Sequence, residues 1–131
     1  MLINYSVISL VPCLVRDEHI NVGVVTWAAP PTHTGVEWAA SSLVAVRMVN
    51  SLDETVLGRA LPESMRTNYT RAIGDLKKRL DGKSGDDVTT MSTHMNNLLQ
   101  FTVPQQLSST SGDLVAEADG LFSAMVWTVN H

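Results

Sequence analysis

The residues of this chain that could do chemistry are few, and most stand at predicted turns. Adjacent acids occur at Asp17-Glu18, Asp53-Glu54 and Asp86-Asp87. Each pair falls at a turn or a helix start, where acids are expected for structural reasons. His19, His33, His94 and His131 share no spacing with those pairs. His94 has no second ligand at a metal-binding interval. Cys13 is the single cysteine, which excludes an internal disulfide, and as a nucleophile it would depend on His19 across the turn. One cysteine and one histidine make no signature, and the bland reading is a semi-buried thiol. No glycine-rich phosphate loop is present. No catalytic residue, metal site or cofactor is therefore assigned, and an enzyme is not expected.

Binding chemistry is better represented. Arg16 and Glu18 lie two residues apart, on the same side of an extended backbone. Asn21 can hydrogen-bond nearby backbone. Gly23 stands inside a strand pattern, where a bulge or a close backbone approach is the usual reason. Together with Arg47, the polar residues Arg16, Glu18 and Asn21 form a candidate docking surface at a hairpin tip. A second candidate is a basic helix face carrying Arg66, Arg71, Lys77 and Lys78. The plainer account of both is a shaped hairpin and a solvated helix, with the cations near the helix end suiting its dipole.

These residues need elements to position them. Tyr5 to Val11 and Ile20 to Trp27 are β-branched runs around a short charged segment, the pattern of an antiparallel hairpin. Ala28 to Gly35 reads as a loop with two prolines, and Val36 to Ser41 as a third strand. Leu43 to Val49 fits a short helix or a strand equally well. Ser51 and Glu54 match a capping box, and Leu52, Val56, Leu57 and Leu61 then suggest a helix of two or three turns. Pro62 suits the first turn of a longer helix running to Asp81-Gly82. Val88, Met91, Met95, Leu98 and Leu99 continue at helical spacing. Gln100 to Val103 reads as a late fourth strand, Gln105 to Gly112 as a polar loop, and Leu114 to Met125 as a closing helix. The three tryptophans are expected in the core. The fold class is α+β: a small antiparallel sheet with helices packed on one face, in one domain spanning residues 1–131.

The opening also carries a resemblance. Tyr5-Ser6-Val7-Ile8 with Val11-Pro12, then Arg16, Glu18 and Asn21-Val22-Gly23-Val24-Val25, resembles a family of small bacterial proteins known only as a domain of unknown function. Its members are often encoded beside a HipA-like kinase. Leu99 to Pro104 and the helix that follows are similar to the family's closing strand and helix. The resemblance implies a partner class rather than an activity. It also favours a helical turn at residues 43–49, with Arg47 projecting from it.

Composition narrows the functional classes. Apolar residues make up 44% of the chain and charged residues 17%, so it can build a core. A net charge of −4 argues against nucleic-acid binding through a basic surface. No apolar run approaches the ~20 residues of a membrane helix, and a cytoplasmic protein is expected. No Lys or Arg follows Lys83, although five acids do. The leading reading is a non-catalytic protein-binding module, an accessory partner of a HipA-like kinase, with oligomeric state open. The alternatives are a phage or mobile-element inhibitor of a host defence or replication protein, and a metal-dependent nuclease or nucleotide-binding enzyme.

Overall fold

A computed structural model describes residues 2–13, 18–28, 43–94 and 99–128. Strand β1 (Leu2–Cys13) pairs antiparallel with β2 (Glu18–Ala28). Strand β3 (Ala45–Met48) pairs with the other edge of β2. On the far side of β1 lie β4 (Leu99–Phe101) and β5 (Gln105–Ser108), both antiparallel to it. The hairpin and the late strand are as the sequence pattern requires. The third strand expected at residues 36–41 lies outside the described residues, and β3 occupies the place beside β2.

Residues 43–49 hold a strand, not the helical turn that the resemblance implies. Val46 and Met48 alternate with Arg47, and only an extended backbone sends these neighbours to opposite faces. β5 lies where the sequence pattern predicts a polar loop. Its Gln and Ser side chains carry no strand signal, but ladder bonds need only backbone, and β1 offered a free edge. The two short strands are nearly one. Between Phe101, opposite Ile8, and Gln105, opposite Tyr5, the late chain has one residue more than β1. Pro104 has no N–H to give there. Thr102 fills the break: its N–H donates to Val7 O at 2.9 Å, and its Oγ1 accepts from Val7 N at 2.9 Å.

The expected helix at 52–61 is instead two 3₁₀ turns, Leu52–Glu54 and Gly58–Ala60, with extended Thr55 between them. The capping box of Ser51 and Glu54 is present. Thr55 breaks the helix: its Oγ1 donates to Leu52 O and accepts from Gly58 N, both at 2.9 Å. A side chain that bonds local backbone in this way competes with helix propagation. The long helix α1 (Glu63–Leu80) begins just after Pro62, and Gly82, at φ 73°, turns the chain away from it. Helix α2 (Gly85–His94) and helix α3 (Leu114–Met125) follow.

The α+β class holds, but the helices divide between the two faces of the sheet. Val46 lines a groove with α1, whereas its neighbour Arg47 contacts α3. Both faces of the central strands are accordingly buried, from Ser6 to Val11 in β1 and from Val22 to Trp27 in β2. Two-sided burial also explains why those runs are nearly continuous in apolar residues rather than alternating. Of the tryptophans, Trp27 is buried and Trp127 is exposed, against expectation; Trp38 lies outside the described residues. No described helix is long and apolar enough to cross a membrane.

Gly23 is a close approach between strands. A Cβ there would sit 2.5 Å from Met48 Cγ and 2.9 Å from Arg47 O. Gly23→Ala should therefore destabilise the fold by about 1–3 kcal/mol, read as a lower urea midpoint. The Asp87 carboxylate accepts from Ser84 N and Oγ at the start of α2, and these bonds hold its pKa below the ordinary aspartate value. A lowered folded-state pKa gives stability that is complete above the unfolded value and is lost as pH falls through the folded one. Amide-exchange protection in the first turn of α2, taken relative to the intrinsic rate at each pH, should fall through that acidic window in the native chain, and lose this pH dependence in Asp87→Asn.

Candidate functional site

The polar residues singled out by the sequence do not meet at one place. Arg16 lies outside the described residues. Glu18 opens β2 opposite Cys13. Arg47 pairs with Val24, six residues further along β2, so roughly 20 Å separates it from Glu18 at ~3.3 Å per residue. Asn21 and Arg47 both serve α3 instead.

Asn21 stands where the β1–β2 register slips: Ile8 faces Gly23, but Ser9 faces Asn21, which leaves Val22 as the extra residue of a bulge. The bulge turns the Asn21 amide toward the end of α3. Asn21 Nδ2 donates to Met125 O at 2.9 Å, and Ser9 Oγ donates to Asn21 Oδ1 at 2.8 Å. Met125 O is one of the carbonyls a helix end leaves without an internal partner. At the other end of α3, Thr26 Oγ1 donates to Leu114 O at 2.9 Å. Midway, the Arg47 guanidinium lies 4.5 Å from the Phe122 ring centroid, and its Nε is 3.5 Å from Asp119 Oδ1. The spacing matches: the eleven helical steps from Leu114 to Met125 rise about 16 Å, as do the five strand steps from Asn21 to Thr26.

The basic positions of α1 are distributed. Arg66 pairs with Asp53, and its buried Nε has no hydrogen-bond partner. Arg71 is exposed. Lys77 Nζ donates to Asn50 Oδ1 at 3.0 Å. Lys77 and Lys78 do converge on one feature, a groove of about 530 Å³ between β3 and the C-terminal half of α1. Val44, Val46 and Leu80 supply its apolar lining, Gly74 lines it without a side chain, and Asp81 is its one acidic lining residue. Pairing Val44 and Val46 with this helix required knowing that residues 43–49 were a strand, which periodicity over so short a run could not decide. A second exposed feature has no local signal: Val56 N donates to Trp127 O at 3.0 Å, and both side chains face solvent. Among the described residues, no three His, Cys, Asp or Glu side chains are placed to hold a metal ion.

Asn21→Leu removes the partner of a helix-end carbonyl and of Ser9. It should lower stability by about 1–3 kcal/mol. Arg47→Ala, which removes a half-exposed contact, should lose no more than about 1 kcal/mol. Chemical denaturation followed by tryptophan fluorescence ranks the two.

A model of the family described as DUF3037, a protein family of unknown function, matches residues 5–126. The match spans nearly the whole chain, and the chain belongs to that family. No curated protein and no solved structure matches it.

Proposed function

We propose that this DUF3037 member is a small, non-catalytic protein-binding module of the cytoplasm, and that its partner is a HipA-like kinase. The observation that supports binding is the groove between β3 and α1, with an apolar lining and two lysines at its rim. An apolar patch rimmed by polar groups is the usual form of a protein-recognition surface. The resemblance of the opening motif supplies the partner class. Docking through the hairpin tip, by Arg16 and Glu18, is a second route to the same partner.

The full chain mixed with a HipA-like kinase should form a complex on size exclusion, with heat released on titration at micromolar concentrations. Two proteins that elute separately and release no heat at tens of micromolar would remove the kinase as partner. Arg16→Ala with Glu18→Ala should weaken the complex if the tip takes part and leave it unchanged if it does not.

A further inference from the structure

The groove runs along a sheet edge, and the phase of the backbone there is fixed. Val49 N donates to Val22 O at 2.9 Å, so residues 49, 47 and 45 turn their polar backbone groups toward β2. Residues 44, 46 and 48 therefore turn theirs outward. Val44 agrees: its N–H donates away from β2, to Lys83 O at 3.0 Å. Lys83 and Ser84 cover the edge only as far as the Leu43–Ser84 bridge. Beyond it, no strand among the described residues pairs with the outer edge of β3. The outward N–H and C=O of Val46 open beside the groove that its side chain lines.

Gly74 is the second observation. It stands in the interior of the 18-residue helix α1, where glycine is about 1 kcal/mol less favourable than alanine. A Cβ at Gly74 would meet nothing within 4 Å, so no internal contact requires a glycine there. Its effect is to line the groove without a side chain.

From these features we infer that the groove takes an extended, acidic segment of a partner protein, added as a further strand on the edge of β3. Backbone bonds to Val46 hold the segment, an apolar side chain enters over Val44, Val46 and Leu80, and carboxylates two positions away meet Lys77 and Lys78. Main-chain pairing with alternate side chains in pockets is a general mode of peptide capture. The charge selects the occupant: among the lining residues, Lys77 and Lys78 outnumber Asp81. The inference rests on the protein-binding reading and gives that reading its surface and the chemistry of its ligand.

The test is a random decapeptide display library selected against the full chain, with counter-selection against Gly74→Leu. Enriched peptides should lack proline across their core and carry an apolar residue flanked two positions away by Asp or Glu. A synthetic copy should bind at least roughly tenfold more weakly to Lys77→Glu/Lys78→Glu, and more weakly in high salt. Gly74→Leu should abolish binding. Gly120→Leu, at an α3 glycine whose Cβ would also meet open space, should fold equally well and bind normally. N-methylation of the peptide residue that pairs with Val46 should also abolish binding. Three results would overturn the inference: no enrichment over Gly74→Leu, enriched peptides that are basic or insensitive to the lysine reversal, or full binding by the N-methyl peptide. A kinase complex that survives Gly74→Leu would sink the groove alone and leave the protein-binding reading standing.

Discussion

The grip of β2 on α3 is the constraint from which the rest of the architecture follows. One strand reaches the helix at both ends, through Thr26 and Asn21, and its neighbour β3 reaches the middle through Arg47. Each hydrogen bond is worth only about 1 kcal/mol net, but three attachments at matched spacing remove the freedom of the helix to slide or rotate. Apolar packing of Phe122, Ala118 and Val126 is non-directional and could not fix that register alone. The bulge at Val22 is what aims Asn21 correctly. Without the extra residue, the amide would point to the opposite face.

With α3 fixed on one face, the other face is left to α1 and α2. Val25, Trp27 and Met48 are buried there, and Trp27 packs so close to Gly85 that α2 can begin only with a residue lacking a side chain. β3 has only four residues and α1 has eighteen, so the helix, at roughly 27 Å, is about twice the length of the strand.

Strong local chemistry was legible in the sequence. The β-branched runs of β1 and β2, the Ser51–Glu54 box, the Gly82 stop and the amphipathic stripe of α3 all act over a few residues. What could not be read depends on distant partners. β5 has no apolar pattern and exists because β1 presents an edge about a hundred residues away in the chain. Nothing near Arg47 or Asn21 in the sequence points to a helix about a hundred residues later for Asn21 and some seventy for Arg47, and only the arrival of α3 gives them a structural task. The 52–61 segment misled for a different reason: its leucine and valine spacing is helical, but one threonine hydroxyl outweighs that pattern. Continuous rather than alternating apolar runs in the first two strands did carry the signal that both faces would be covered.

The position of β4 and β5 bears on how the chain comes off the ribosome. Tyr5 and Gln105 are partners across the sheet, so the outer side of β1 has no native neighbour until the hundredth residue and more have been made. At 5–20 residues per second that interval is on the order of 5–20 s. Throughout it, a long, apolar, hydrogen-bond-hungry ribbon is complete but half clothed, and its bare side is a template on which another chain can pair until β4 and β5 arrive.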